Sequence, residues 1–376
     1  MPVVVPPKVT TRNSLKLSFQ VTGNSKVEGA PAKLPIPYTG RKKINYESFP
    51  FDVPFWEDYN PIVSDFEDWL QIGLYIKPKK SESGTLFYYK KSSRILRQEF
   101  DFNVTTIDQK DWFLKLAMCH TFFESTHIDV LFYYLRKMDF HSRSSVVESV
   151  TTSDSFFHQR MINAYDKFLS STDSRYIIHP DNDIIDYMSG FNIICGMHWT
   201  VVDHVLMPIH TQIDGVEHWI LGRFSINERI LYIYNSLRSH EIDAQMLKAV
   251  ESYSVMLPQF LSLIGLEAQK KDLFIGDGAY VGKNWSNSLD VVFVDDLPTQ
   301  EKGDCGAFVV AFAEHFMKGL KIPSQLDAKY IRNRYAYFLY EHGWNKLAKG
   351  YESEDLFPGN MPDDSRMILY NDWLNM

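Results

Sequence analysis

Between Gly303 and Val310 the chain reads Gly-Asp-Cys-Gly-Ala-Phe-Val-Val, with a cysteine between two glycines at the head of an apolar run that extends to Met317. The run predicts a helix over 305–317 that is buried on all sides, with Asp304 where an N-cap belongs. A thiol in the first turn of a helix faces unpaired backbone N–H groups and the positive end of the helix dipole. Both favour the thiolate, which is the attacking species. The flanking glycines would admit a substrate backbone and leave N–H groups free for an oxyanion. The same cysteine would equally fill a core as a small buried side chain, so Cys305 needs a base before it counts as a nucleophile.

His218 supplies one. His218 to Phe224 and Arg229 to Leu237 alternate like two strands of a hairpin turning near Asn227. With Ile226-Asn227 as the loop, residue 218 faces residue 235; with Asn227-Glu228, it faces 237 and residue 235 lies one pair along. Both registers put His218 and Asn235 on one face, because side chains alternate with a period of two. A histidine whose ring is held by an amide or carboxylate acceptor is the arrangement a general base requires. Gln300, five residues before Cys305, offers a side-chain amide that can donate to an oxyanion. Each residue alone has an ordinary structural use. Together they describe acyl transfer: Cys305 attacks a carbonyl, His218 carries the proton, and water releases the thioester.

The elements that must position these groups follow from periodicity. Helix-spaced apolar residues run through Ile128, Leu131, Phe132 and Leu135, and again through Phe157, Met161, Ile162 and Tyr165. Trp199 to Ile209 and Val291 to Val294 read as strands. Glu241 to Ile264 reads as a helix that Pro258 should kink or split, and a last helix is expected from Asp327 to Leu347. Upstream, a short helix over Ser64 to Leu74, a Ser81–Gly84 turn and a strand at Leu86–Tyr89 look like an appendage to the catalytic core. The expected organisation is a mobile arm over 1–50, an N-terminal extension over 51–109, a catalytic domain over 110–350 and a tail over 351–376.

Composition narrows the function classes. An apolar share of 45%, a charged share of 23% and a net charge of −8 suit a soluble globular protein and argue against a general nucleic-acid binder. The three cysteines, Cys119, Cys195 and Cys305, give no disulfide framework and point to nucleus or cytoplasm. No signal peptide or membrane span is expected, and the short basic runs at Arg41–Lys43 and Lys77–Lys80 read as solvated loops. Cys195, His198, His204 and His210 lack the paired knuckle of a zinc site, so no metal is expected. No phosphate loop or dinucleotide fingerprint is present, and no cofactor is needed.

The chain resembles the Ulp family of SUMO-specific cysteine proteases, especially its divergent plant members. The resemblance covers about residues 110 to 350 and rests on His218-Trp219, Tyr234-Asn235-Ser236, Gln300 and Asp304-Cys305-Gly306. The helical stretch Thr126 to Leu135 is similar to the family's first catalytic-domain helix. The resemblance implies an α+β, papain-like fold in which a mixed sheet packs on a buried central helix. It implies His218 as base, Asn235 as its orienting partner, Gln300 in the oxyanion hole and Trp219 as the roof of a narrow tunnel for a Gly-Gly tail. The partner it implies is SUMO or a related ubiquitin-like modifier and its conjugates. Three features depart from the family pattern: Asn235 stands where an aspartate is usual, the Gln300 to Cys305 spacing is one residue shorter, and Phe122-Phe123-Glu124-Ser125 replaces Trp-Leu-Asn-Asp. The rival readings are a catalytically silent modifier-binding module and an accessory protein of a mobile element.

Overall fold

The structure, a computed structural model, describes residues 60–78, 85–142, 148–171 and 177–349. The expected arm over 1–50, the tail over 351–376, the Ser81–Gly84 turn and the Arg41–Lys43 run lie outside the described residues. The chain begins with α1 (Asn60–Gln71), β1 (Leu74–Pro78), β2 (Thr85–Tyr89), the short α2 (Lys91–Arg94), β3 (Ile95–Asp101), β4 (Thr106–Gln109) and α3 (Lys110–Ala117). It continues through α4 (Ser125–Ser142), β5 (Val150–Thr152), α5 (Ser155–Ser170) and α6 (Asp183–Met188) to β6 (His204–Ile213), β7 (Val216–Ser225) and β8 (Ile230–Tyr234). Then come α7 (His240–Ala249), α8 (Glu251–Leu263), α9 (Leu266–Gln269), β9 (Asp290–Phe293), α10 (Cys305–Met317) and α11 (Ala328–Lys349).

Five strands form one mixed sheet in the order β5-β6-β7-β8-β9. The two inner pairings, β6 with β7 and β7 with β8, are antiparallel, and the two edge strands pair in parallel. Strand alternation divides the side chains between two cores. Leu221, Tyr232 and Tyr234 join α3, α4, α10 and α11 on one face, whereas Ile220, Leu231 and Ile233 join α5, α6 and α8 on the other. Phe66, Phe100 and Phe102 from the segment before α3 lie in the same core as Cys305, so this segment packs as part of the body that holds α10.

Two local departures from the sequence reading have physical causes. The strand expected from Trp199 starts only at His204, because Trp199–Val201 forms a single 3-10 turn that buries Trp199. The Asp203 carboxylate then accepts Ser149 N–H at 3.0 Å, Asn227 Nδ2 at 2.8 Å and Lys270 Nζ at 3.1 Å, fixing the bend before the strand. The helix over 241–264 is indeed two helices, but it divides at Val250 and Pro258 lies inside α8. The carbonyl that Pro258 leaves without an intrahelical partner, that of Ser254, accepts the Leu289 N–H at 2.8 Å.

Burial also sets an acid limit on stability. It holds His127, His158 and His198 down at about 4 and His342 at about 3, against roughly 6.5 for a solvated imidazole. As pH falls below about 6.5 the unfolded chain takes up protons that the folded chain refuses, so this contribution is complete above 6.5 and is lost towards 4. Asp129 opposes it: burial, with Asp154 nearby, pushes its carboxyl up to about 7, so here the folded chain holds the extra proton. Burial raises the Asp154 carboxyl as well, and four depressed imidazoles against two raised carboxyls decide the sign. The urea midpoint is expected to be lower at pH 4.5 than at pH 7, and equal midpoints would contradict the burial of these rings.

Candidate active site

The β7–β8 pairing follows the second of the two registers, with Leu221 opposite Tyr234 and Ser225 opposite Ile230. Pairing stops at Tyr234, so the backbone is free to turn at Asn235 while the side-chain alternation still brings it to His218. His218 Nε2 lies 2.8 Å from Asn235 Oδ1. An amide oxygen only accepts, so the ring nitrogen carries the hydrogen here, and the basic lone pair belongs to Nδ1. Asn235 Oδ1 also accepts Leu237 N–H at 3.1 Å, which fixes the amide, and both residues are buried. Burial lowers the His218 pKa; the bond to Asn235 opposes this and nearby His210 adds to it.

Cys305 is the first residue of α10 and is 1% exposed. The apolar segment forms a buried helix because almost every side chain, from Ala307 to Ala313, meets another core side chain. Helix α10 packs against β7, and the backbone N–H groups of Trp219 and Gly306 favour the thiolate of Cys305. These groups, with the Arg332 guanidinium, pull the thiol pKa down, yet burial outweighs them and pushes it up to about 11. The lowered thiol expected from the helix terminus is thereby reversed, although the helix N–H groups act in the expected direction. Among the described residues no hydrogen bond joins His218 to Cys305; the link between them runs through consecutive positions, His218 and the Trp219 backbone.

Trp219 is buried, and its Nε1 donates to the Phe123 carbonyl at 2.9 Å. Phe122 stacks on the indole at 6.1 Å between ring centroids, and the His210 ring lies 4.7 Å away, with Glu217 2.5 Å from its Nε2. Phe122, Trp219 and His210 thus form an aromatic cluster whose indole follows His218 directly in the chain. Gly306 has no room for a side chain, since a Cβ there would meet Phe123 Cβ at 2.6 Å. Gln300 is buried, donates its N–H to the Ser236 carbonyl at 3.1 Å and makes no bond through Oε1. Its backbone is thus tied to the residue after Asn235, which joins the 300–304 loop to the end of β8.

The sequence profile of the Ulp1 protease family, C-terminal catalytic domain, matches residues 121–347, more than half of the chain. The chain belongs to this family. The architecture is α+β, with the buried helix α10 packed against β7. A curated relative, the ubiquitin-like-specific protease ESD4 of Arabidopsis thaliana, is 32% identical over 161 residues, covering 39% of this chain and 28% of the relative. The match thus spans little more than a quarter of that protein's length. Among solved structures, the C-terminal Ulp1 protease domain in complex with Smt3, the yeast ortholog of SUMO, aligns over 77% of this chain and 98% of that domain, at 14% identity and a TM-score of 0.42. A Chaetomium thermophilum Ulp1-like SUMO protease catalytic domain aligns over 65% of this chain and 78% of its own length, at 15% identity and a TM-score of 0.34.

Sequence reasoning missed several residues of this Ulp1-family site. Phe123 presents its carbonyl to Trp219, His210 and Glu217 border the indole, and Arg332 reaches the start of α10 from α11. Phe123 stood out only as part of a departure from the family pattern and His210 only as a rejected metal ligand, while Arg332 lies within the helical run Ile331-Arg332-Asn333-Arg334-Tyr335, where periodicity alone gives it no partner.

Proposed function

We propose that this chain is a cysteine protease that cleaves after the C-terminal Gly-Gly of a ubiquitin-like modifier, with SUMO as the expected substrate. The observation that carries the reading is the His218 Nε2 to Asn235 Oδ1 bond at 2.8 Å, together with a thiol whose thiolate the Trp219 and Gly306 backbone N–H groups favour. In this reading the Cys305 proton passes to His218 Nδ1 as the sulfur attacks the terminal glycine carbonyl. The imidazolium then protonates the departing amine, and a water deprotonated by His218 releases the modifier from the thioester. Gln300 and the first-turn N–H groups would hold the oxyanion, and Trp219 with Phe122 would cover the tail. The family membership and the relatives' descriptions support the modifier class.

A silent binding module is the second reading, favoured by a thiol that burial pushes up to about 11. SUMO and ubiquitin carrying C-terminal vinyl sulfones separate the two. An adduct on Cys305 with the SUMO probe supports the protease, and binding without any adduct supports the module. The aromatic cover adds a prediction: tails ending Ala-Ala should be cut at least about tenfold more slowly than Gly-Gly tails, the scale of an added methyl group in a closed apolar site. Equal rates would remove the tunnel.

A further inference from the structure

Asp304 occupies the N-cap position of α10 with φ −101° and ψ 6°, yet its side chain makes no capping bond to the helix. A carboxylate at an N-cap ordinarily accepts the N–H of the second or third helical residue, here Gly306 or Ala307. The Gly306 N–H instead acts on the Cys305 thiol, whose pKa it lowers. What diverts the carboxylate is Arg332 on α11, whose Nε donates to Asp304 Oδ1 at 2.6 Å, while His120 N–H donates to the same oxygen at 2.9 Å. His120 Nδ1 lies 3.2 Å from Asp304 Oδ2. Asp304 and Arg332 are both fully buried.

The guanidinium is held on all sides. Nη1 donates to the carbonyls of Lys115 at 3.0 Å and Leu116 at 3.2 Å, and Nη2 to those of Thr121 and of Gly303, the latter at 3.1 Å. Its plane lies over the Phe123 ring at 4.5 Å, and the carbonyl of Phe123 holds the Trp219 indole. One planar fork thus fixes the end of α3, the 119–123 loop and the residue before the nucleophile, a geometry that lysine cannot reproduce.

We propose that Arg332 is a positioning residue for Cys305: it draws the Asp304 carboxylate off the first turn of α10 and so reserves that turn's backbone N–H groups for the sulfur. Without Arg332, Asp304 would turn to its usual cap. Its oxygen would then compete for Gly306 N–H and set a negative charge beside the developing thiolate, disfavouring it. The proposal rests on Cys305 being the nucleophile, but its readout needs no modifier, so failure to cleave any substrate and failure of this inference are separate results.

The test follows iodoacetamide alkylation of Cys305 against pH, read by peptide mass spectrometry, in the full chain. Arg332→Met is expected to slow alkylation about tenfold at pH 7 and to move its titration upward, as an added like charge does. Arg332→Met combined with Asp304→Ala removes the competing carboxylate and the unpaired charge together, and is expected to return the rate to within about threefold of the native chain. A Met variant that titrates like the native chain, or a double variant as slow as the Met variant, overturns the proposal. If Arg332→Met does not fold, the double variant decides alone. A titration raised by well under about one pH unit, the remainder left by losing the direct pull of the Arg332 guanidinium, supports withdrawal of Asp304, and a rise of about one pH unit or more assigns the whole effect to that pull and overturns it.

Discussion

Cys305→Ser is expected to lower turnover by at least about four orders of magnitude, the scale on which serine–histidine enzymes respond to loss of the nucleophile, with modifier binding and fold retained. Serine keeps nearly the same volume at a position that is 1% exposed and begins a helix whose packing lies in Ala307 to Ala313. It can also accept the Trp219 and Gly306 N–H groups that favour the thiolate. What it lacks is an accessible anion. A thiol that burial pushes up to about 11 still ionises far more readily than a hydroxyl. The measurement pairs hydrolysis of a SUMO C-terminal fluorogenic amide with binding of intact SUMO and a thermal melt. Parallel Cys119→Ser and Cys195→Ser variants should keep their activity. Hydrolysis that survives in Cys305→Ser and disappears in Cys195→Ser would move the nucleophile elsewhere.

The order of the site was legible because its members are local. A strand pair with a short connection fixes the His218 to Asn235 relation through the two-residue alternation, whichever turn is used. The apolar run after Cys305 leaves no exposed face, so a buried helix is its only packed solution. The edge pairings were less legible: β5 and β9 join the sheet in parallel through long connections, and short apolar segments do not name their neighbours. Nor did the hairpin joining β6 to β7 stand out, although Asp214-Gly215, with φ of 51° and 77°, is the usual chemistry of a two-residue turn. Arg332 lies 28 residues from Asp304, and the carbonyls it gathers come from α3 and the loop beyond. Contacts set by tertiary packing leave no periodic trace. The direction of the Cys305 shift was misjudged for a related reason, since a helix terminus is visible in sequence whereas the burial that raises the thiol comes from a core assembled from residues far apart in the chain.

Asn235→Asp is expected to raise turnover about tenfold or more and to shift alkylation of Cys305 to lower pH. The native amide gives its oxygen to His218 Nε2 and to Leu237 N–H, while its Nδ2 is buried and makes no hydrogen bond. Aspartate keeps both accepted bonds, while its second oxygen takes the buried, unpartnered place of Nδ2 at some cost to stability. The new element is charge. A carboxylate 2.8 Å from Nε2 opposes the burial that lowers the native His218 pKa and favours imidazolium, typically by 1–3 pKa units for an opposite charge at this range, or about tenfold per unit. The thiolate–imidazolium pair becomes more populated at neutral pH as a result. In serine–histidine enzymes the amide-for-acid exchange loses roughly 10⁴ in kcat, whereas papain-like thiols work with asparagine because sulfur ionises more easily, so the gain here is expected to be smaller than that loss. In the variant, His218 titrates at higher pH in the folded chain than in the native one, and the stability this adds relative to the native chain is present below the lowered native value and is lost as pH rises through the variant's value. Imidazole NMR titration of His218 and the alkylation rate of Cys305 should move together, the first upward and the second to lower pH. A shift of His218 with Cys305 unchanged would uncouple the base from the thiol and leave the chain as a binding module.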